Sequence, residues 1–250
     1  MKSEKKFDAI KKFVFDRKYA LWLLLWVGII VWYFLLNQFQ TGGHVIHMSV
    51  DDKIPFVEYF VIFYCLWYAY IVFSLLWTLV KSKRDFLTLC SLIFLALYSS
   101  MIVITAYPSV HTLRPAAGSM RNNLFSALVR GIYAADEPRC IFPSMHCILV
   151  IVISVGLIFS DSFKGKLWTK IFCPLFSVLV MLSTVFIKQH SVADVLLSMG
   201  MSVPVCLLTY FVVTPKKRFA PKEQKKEIPP LEETMEKPPR EEENSAENAE

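Results

Sequence analysis

Three short clusters carry the side chains most able to do chemistry. They are Arg114-Pro115, Pro143-Ser144-Met145-His146 and the stretch from Lys188 to Asp194. Together they supply two imidazoles, a carboxylate, a hydroxyl and two cationic groups. This combination is typical of phosphoryl transfer, because an imidazole can act as nucleophile or acid while donors and cations stabilise phosphate oxygens.

The third cluster pairs a histidine with an acid. His190 and Asp194 are four residues apart, which places them on one face of a helix. The carboxylate would accept a hydrogen bond from one imidazole nitrogen, fix the tautomer and leave the other nitrogen free as a nucleophile. Asp194 also lies within a turn of an apolar run, where ionisable residues are costly and usually functional. A surface histidine beside a capping acid would give the same spacing without chemistry.

The other two clusters predict acid catalysis and anion binding. Ser144 is a typical helix N-cap, and the free N–H groups of a helix N-terminus bind phosphate. His146 then lies in the first turn, where it could protonate a leaving oxygen. Arg114 could pair with two phosphate oxygens, and Lys188 could add a second positive charge. Each cluster alone has a simpler interpretation, namely a capped helix or a loop arginine. Because all three clusters are expected on the same side of the membrane, a phosphate-transfer site is favoured.

These motifs resemble those of the type 2 phosphatidic acid phosphatase superfamily, which includes lipid phosphatases and inositolphosphorylceramide synthase-like transferases. The family patterns are KxxxxxxRP, PSGH and SRxxxxxHxxxD. The counterparts within residues 86–213 are Arg114-Pro115, PSMH at 143–146, and Ser183, His190 and Asp194 at the family spacing. The chain departs from the family patterns where Tyr107 replaces the lysine, Met145 the glycine and Thr184 the arginine.

The resemblance implies a role for each matching residue. His190 would attack phosphorus and form a phosphohistidine, with Asp194 orienting it, and His146 would protonate the leaving alcohol. Arg114 and Ser144 would stabilise charge on the phosphoryl oxygens. No metal or cofactor is implied. Since two phosphate-binding cations of the family pattern are missing, Lys188 or Arg121 would have to substitute for them.

Three functions are compatible with these residues. The first is a phosphatase that hydrolyses a phosphomonoester or pyrophosphate of a lipid or isoprenoid. The second is a transferase with the same chemistry that moves a phospho-headgroup to another alcohol, and the third is a non-catalytic membrane protein with a decayed site. Metal binding by His44, His47 and Asp51-Asp52 is less favoured than a polar loop, because a short HxxH in a loop lacks the helical support of a zinc site.

The elements that must position these residues are membrane helices. The chain is 55% hydrophobic with a mean hydropathy of +0.45, which is too apolar for a soluble domain of 250 residues. A membrane helix needs about 20 apolar residues. Six stretches qualify approximately: 19–37, 55–80, 86–107, 144–160, 167–187 and 191–213. The predicted fold is an all-α polytopic membrane protein, a bundle of about six transmembrane helices.

Lysine and arginine predict the orientation. With six spans, the basic residues before the first span, after the second, after the fourth and after the sixth all fall on one side, which the positive-inside rule makes cytoplasmic. Both termini are therefore predicted to be cytoplasmic and the site to face outside, in what we expect to be a bacterial cell membrane. Four arginines in the outer loop 108–143 depart from the rule, and a phosphate site would explain them. They are Arg114, Arg121, Arg130 and Arg139.

The domain organisation follows from the same pattern. Residues 1–18 form a basic cytoplasmic or interfacial segment, 19–213 the membrane domain, and 214–250 a charged tail too poor in apolar residues to fold. The six cysteines do not form a disulfide framework, because most lie inside apolar runs. The predicted partners are a lipid phosphate and the bilayer. Nucleic acid is excluded, since the charges lie in tails and loops rather than on one face. The sequence does not predict the oligomeric state.

Overall fold

The chain folds into helices joined by loops, with a small sheet at one end. The structure, a computed structural model, describes residues 18–40 and 42–214, all of which belong to one structural unit. The predicted basic segment 1–18 and the predicted disordered tail 214–250 lie outside these residues, apart from one residue of each. In chain order the helices are α1 (Leu25–Phe39, after a 3-10 segment Lys18–Leu24), α2 (Val61–Lys81), α3 (Lys83–Ala106), α4 (Leu124–Ala135), α5 (Met145–Ile158), α6 (Leu167–Phe186) and α7 (Val192–Leu208, continued by a π-helical turn Thr209–Val213).

Five of the described helices, taken with their short extensions, are long and apolar enough to cross a membrane. They are Lys18–Phe39, Glu58–Lys81, Lys83–Ala106, Leu167–Phe186 and Val192–Val213. They correspond to five of the six predicted spans. The chain is therefore mostly helical and compatible with an integral membrane protein.

The sixth predicted span, 144–160, is a shorter helix at the centre of the bundle. α5 has 14 residues, about 21 Å in length, against a hydrocarbon core of about 30 Å. It packs against α3, α6 and α7, and most of its side chains are buried. Its first turn is capped within the protein, because the Ser144 hydroxyl accepts from the Cys147 N–H and the Ser198 hydroxyl donates to the Ser144 carbonyl. A helix enclosed by other helices has its ends satisfied by protein, so it need not match the bilayer in length.

A glycine allows the central helix to approach α3 closely. A Cβ on Gly156 would lie 3.0 Å from methyl groups of both Leu89 and Leu92. Small residues at helix crossings are typical of membrane proteins, where close packing replaces the hydrophobic driving force. The α3–α5 contact thus depends on the absence of a side chain at this position.

Hydrogen bonds show which helix ends lie together. The Tyr19 hydroxyl donates to the Leu79 carbonyl, so the first helical segment begins beside the end of α2. Asp85, at the start of α3, accepts from the Ser162 N–H in the loop after α5. The Tyr210 hydroxyl donates to a carbonyl near the end of α5. Both ends of the described chain therefore lie at the end of the bundle that holds the α2–α3 turn, and the loops carrying the predicted site lie at the opposite end.

Two of these opposite loops are joined by a short parallel sheet. Strand β1 (His44–Val45) pairs with β2 (Ser109–Val110). The pairing requires a glycine at position 43, where φ is +153° and a Cβ would lie 2.8 Å from the Pro108 backbone. The predicted outer loops thus form a folded cap rather than separate solvated loops.

A helix also lies inside the stretch 108–143, which the sequence analysis treated as a loop. α4 starts at Asn123, whose side chain accepts from the Ser126 N–H, and it is amphipathic. Its twelve residues are too few for a membrane span, so a search for long apolar stretches passes over it. Its buried face packs on Val61 and Tyr64 of α2 and on Ile187, which brings it next to the site.

Candidate active site

The two predicted catalytic histidines come together at one end of the bundle. His146 lies in the first turn of α5, and His190 lies just before α7. Their ring centroids are 5.6 Å apart. His190 is buried, with 6% of its surface exposed. The structure therefore brings together two imidazoles that are 44 residues apart in the chain.

Asp194 holds His190 as the spacing predicted. One Asp194 carboxylate oxygen lies 3.1 Å from Nδ1 of His190 and also accepts from the Ser191 N–H at 2.9 Å. Ser191 in turn caps α7, which completes a capping box with Asp194. Because Nδ1 donates to a carboxylate, Nε2 is the nitrogen left with a lone pair, as a nucleophile requires.

A second acid, Asp51, fixes the backbone around this pair. Its buried carboxylate accepts from the Ser191 hydroxyl at 2.6 Å and from the Val192 N–H at 2.9 Å. Its backbone carbonyl accepts from Nζ of Lys188 at 2.7 Å. The loop before α2 therefore holds the N-terminus of α7 rigidly in place.

Lys188 is thus engaged with this loop. Burial lowers the pKa of Lys188, an effect opposed by the nearby carboxylates of Asp51 and Asp52. No hydrogen bond or ion pair among the described residues links its ammonium group to His146 or His190. Substrate binding by Lys188 stays a prediction. In the structure its ammonium group is bound to the loop that carries Asp51.

Arg114 lies at the site but is bound to protein oxygens. Its guanidinium donates to the carbonyls of Tyr133 and Asp136 and to the Gln189 side chain, at 3.1, 2.7 and 2.7 Å, and it stacks on the Tyr133 ring. Burial lowers its pKa, while Asp136 opposes that shift. Nε has no partner among the described residues. Arg114 therefore ties the end of α4 to the residue before His190.

Ser144 is the predicted N-cap of α5, and the structure confirms this role. The residue is fully buried. The positions at which the resemblance expects a lysine and an arginine hold uncharged side chains: Tyr107 stacks on His44 with ring centroids 4.3 Å apart, and Thr184 is buried against Cys147. Arg121, offered as a substitute, pairs with Glu58 and is largely exposed.

A third histidine, which the sequence analysis did not single out, lies beside the pair. His111 is 3% exposed and is close enough to His190 and Arg114 for their charges to disfavour its protonation. Together with burial, which is the larger effect, they lower the pKa of His111 to about 3. Its position three residues before Arg114 was the available signal, but nothing in the spacing distinguished it from a loop residue.

A cavity of about 570 Å³ opens onto the two histidines. Its volume is in the usual range for ligand pockets, about 300–1,000 Å³. Side chains of α1 and α2 form one side of its wall, and several of them, including Ile30, Phe34 and Tyr68, are also exposed on the outside of the bundle. The cavity is therefore mainly apolar and reaches the bundle surface between these two helices.

The polar groups of the cavity are gathered near the histidines. Asp136 accepts from the Tyr33 hydroxyl at 2.7 Å and from the Gln189 side chain at 3.1 Å. Tyr64 and Trp67 pack against the His146 ring, with centroid distances of 4.5 and 4.4 Å. The end of the cavity that holds the histidines is thus polar, and the His146 ring is fixed there by aromatic packing.

The first-loop residues considered as metal ligands do not converge. His47 pairs with Asp52 at 2.8 Å, His44 stacks on Tyr107, and Asp51 faces α7. Within residues 18–40 and 42–214, no cluster of three or more His, Cys, Asp or Glu side chains has a geometry that could hold a metal ion.

Comparison of the chain with protein-family models, with curated proteins and with solved structures finds no match in any of the three. The resemblance to the type 2 phosphatidic acid phosphatases therefore rests on Arg114-Pro115, residues 143–146 and the spacing of His190 and Asp194. What these side chains can do has to be derived from their geometry.

Proposed function

We propose that the protein is a membrane lipid-phosphate phosphatase that works through a phosphohistidine. The observation that carries the proposal is a pair of imidazoles with ring centroids 5.6 Å apart, one of them oriented by a buried carboxylate, at the polar end of an apolar cavity. A phosphorus atom between the rings would contact one imidazole while its leaving oxygen contacts the other.

The first half of the reaction transfers the phosphoryl group to His190. Nε2 attacks phosphorus, the P–O bond to the lipid alcohol breaks, and protonated His146 gives its proton to the leaving oxygen. Asp194 stabilises the positive charge that develops on the His190 ring. The negative charge of the substrate phosphate favours the protonated form of His146 before the step.

The second half returns the enzyme to its starting state. His146, now neutral, takes a proton from water as that water attacks phosphorus. The P–N bond breaks, inorganic phosphate leaves and His190 recovers its lone pair. Each histidine thus ends the cycle as it began, and the sum of the two steps is hydrolysis of one phosphate ester bond.

The cavity supports a lipid as the substrate. Its wall is mostly apolar, and it reaches the lipid-facing side of the bundle between α1 and α2. A hydrocarbon chain could enter from the bilayer there and leave the phosphate among the histidines. At about 25 cal/mol per Å² of apolar area, chain burial would supply much of the binding energy.

The orientation of the site is part of the proposal. The distribution of lysine and arginine favours a cytoplasmic position for the α2–α3 turn. The histidines lie at the opposite end of the bundle, so they would face outside, and α5 would act as a sixth, shortened crossing. The substrate is then a phosphomonoester or pyrophosphate of a lipid or isoprenoid in the outer leaflet of a bacterial membrane.

A phospho-headgroup transferase is the second candidate. The observation that favours it is the burial of His190 at the end of a mostly apolar cavity, which limits access of water and allows a second lipid alcohol to enter by the same route. The two candidates share every step up to the phosphohistidine. They differ only in whether water or an alcohol accepts the phosphoryl group.

The test is an assay of the purified protein with phosphatidate, lysophosphatidate and an isoprenoid pyrophosphate, beside the His190→Ala and His47→Asn variants. We expect release of phosphate from at least one substrate, a loss of about 1,000-fold or more in His190→Ala, and normal rates in His47→Asn, whose side chain is exposed on the first loop. Label from a radioactive phosphoryl group should stay on the protein as an acid-labile, base-stable adduct.

The outcomes separate the functions. A headgroup-exchanged lipid in place of free phosphate would identify the transferase. Equal rates in the wild type and His190→Ala would show that His190 is not the nucleophile, and the proposed mechanism would then be wrong. Binding of vanadate without turnover of any lipid would favour a decayed, non-catalytic site.

A further inference from the structure

The cavity beside the histidines changes from apolar to polar along α1. Its lining on that helix runs from Trp26 to Asn37, about 16 Å at 1.5 Å per residue. Two charged side chains between α4 and α5, Asp136 and Arg139, meet the last two turns of the helix. The Tyr33 hydroxyl donates to Asp136 at 2.7 Å, and Arg139 donates to the Asn37 carbonyl at 3.4 Å. A lipid would place its phosphate head at this end and its hydrocarbon chain toward Trp26.

Arg139 brings a positive charge to this end of the cavity. Among the described residues, it is the single lysine or arginine in the cavity lining, which includes neither Arg114 nor Lys188. Its side chain is 32% exposed, so a ligand in the cavity can reach it. Its backbone pairs with Val110 of β2, which fixes the point from which the side chain extends. Arg139 lies outside all three motifs, so the family patterns gave no reason to single it out.

The partners of Arg139 do not fully occupy its guanidinium. The carbonyls of Asn37 and Gln40 accept from one terminal nitrogen at 3.4 and 3.3 Å, which are long distances for hydrogen bonds. The other terminal nitrogen pairs with Glu137, whose side chain is 58% exposed. Exposed ion pairs contribute little to stability, and a guanidinium carries five N–H donors. A phosphate oxygen can therefore join or replace these partners at little cost.

The charge balance of the cavity favours such a cation. The Asp136 carboxylate lines the same space, and its hydrogen-bond donors among the described residues, Tyr33 and Gln189, are neutral. A phosphate bound near the histidines would be repelled by this carboxylate. Arg114 is close enough to Asp136 to offset part of the charge, but it is bound to protein oxygens and lies outside the lining. Arg139 faces the cavity and can offset the rest.

We infer that Arg139 is a substrate-binding residue, whose guanidinium donates to a phosphate oxygen of the lipid that occupies this cavity. The inference rests on the proposed phosphoryl-transfer function. It supplies a cation that the motif positions Tyr107 and Thr184 lack, from a segment that the motifs do not include. Because the contact is made to the bound substrate as well as to the transition state, its loss should raise KM more than it lowers kcat.

The experiment measures four purified variants beside the wild type. Arg139→Gln removes the charge, Arg139→Lys keeps the charge without the planar fork, and Glu137→Gln removes the acid that competes for the guanidinium. Lys53→Gln is the control, because it removes a positive charge from an exposed position in the first loop at the histidine end. The readouts are KM and kcat with the lipid phosphate that the wild type hydrolyses fastest, inhibition constants for vanadate and for the matching uncharged lipid alcohol, and thermal unfolding.

We expect Arg139→Gln to raise KM and to weaken vanadate binding, each by about 10-fold or more, because a hydrogen bond between charged groups is lost. Inhibition by the lipid alcohol should not change, since that ligand has no phosphate. Arg139→Lys should recover part of the loss. Glu137→Gln should bind vanadate as tightly as the wild type or more tightly, and Lys53→Gln should match the wild type.

A purely structural role for Arg139 predicts a different pattern. If the side chain served only to tie its loop to α1, both Arg139→Gln and Glu137→Gln would loosen the cavity wall. Inhibition by the lipid alcohol would then weaken together with vanadate binding, and the inference would be overturned. If Arg139→Gln does not fold, the folded Glu137→Gln protein decides, and weaker vanadate binding in it would overturn the inference as well.

The outcomes also separate this inference from the proposed function. Unchanged KM and vanadate binding in a folded Arg139→Gln protein would show that Arg139 does not bind the substrate, and the phosphatase would stand. If the wild type neither hydrolyses a lipid phosphate nor binds vanadate, the proposed function is wrong, and the role of Arg139 fails with it.

Discussion

The contact between Asp194 and His190 is the first point at which the mechanism can be tested by substitution. Asp194→Asn keeps the shape of the side chain but replaces the charged acceptor, so Nε2 and Nδ1 of His190 lose their assigned roles. We expect kcat to fall by at least about 100-fold. The measurement is phosphate release under saturating substrate.

A matched control is needed because Asp194 also takes part in the capping box of α7. Ser191→Ala removes the other half of that box and the hydrogen bond to Asp51, which together should cost about 1–3 kcal/mol of stability, while the contact between His190 and Asp194 survives. Its melting temperature should therefore fall, with much less loss of activity. Equal activity losses in the two variants would mean that Asp194 acts only as a cap.

The acid role of His146 predicts a dependence on the leaving group. His146→Gln removes the proton donor but leaves the nucleophile, so substrates whose alcohol leaves unaided should suffer least. We expect a large loss with a lipid phosphate and a loss at least about 10-fold smaller with p-nitrophenyl phosphate. Equal losses with both substrates would show that His146 does not protonate the leaving oxygen.

The sequence predicted which residues meet at the site better than it predicted their hydrogen-bond partners. The spacing of His190 and Asp194 implied their contact, because a separation of four residues determines geometry on a helix. The partners of Arg114 and Lys188 could not be predicted, since they bind backbone carbonyls from distant loops, and any residue can supply a carbonyl. His111 escaped notice because its burial near His190 and Arg114 is a property of the folded loop alone.

At the scale of elements, the close approach of α3 and α5 gives a stability prediction. Gly156→Leu would place a side chain where even a Cβ lies 3.0 Å from Leu89 and Leu92. Overpacking of this kind costs about 1–3 kcal/mol. We expect a lower melting temperature for the purified variant and, because α5 carries His146, lower activity.

The control lies on α7. Gly200 is exposed on its helix, and a Cβ there would meet nothing within 4 Å. Gly200→Leu should therefore leave the melting temperature unchanged or raise it, since leucine is a better helix former than glycine. Comparable destabilisation by both substitutions would show that helix–helix packing at Gly156 is not the cause.

The helices that the sequence revealed are those long and apolar enough to cross a bilayer. Five spans were recognisable because each carries about 20 apolar residues in sequence. α5 was also predicted, at 144–160 with Ser144 as its N-cap, and it is shorter than the other spans because other helices enclose it. α4 was missed because its twelve residues are too few for a hydropathy window, although Asn123 caps its start.

At the scale of the whole molecule, the two ends of the helix bundle differ in structure. One end joins the helices through short turns, with Asp85 bound to the loop after α5. The other end holds longer loops, β1 and β2, and the histidines. Function requires that the second end face the leaflet that holds the substrate, so topology is as much a part of the proposal as any side chain.

This topology can be tested by labelling single introduced cysteines in intact cells. Ser119 is exposed in the loop at the histidine end, and Lys164 is exposed in the loop between α5 and α6. A membrane-impermeant maleimide should label Ser119→Cys from outside, and Lys164→Cys only after the membrane is permeabilised. The parent chain reports any background from its own cysteines, of which Cys65 alone is exposed within the described residues, on α2. Labelling of Lys164→Cys in intact cells would mean that the orientation is the reverse of the proposed one. The histidines would then face the cytoplasmic leaflet, and the substrate would have to be sought there.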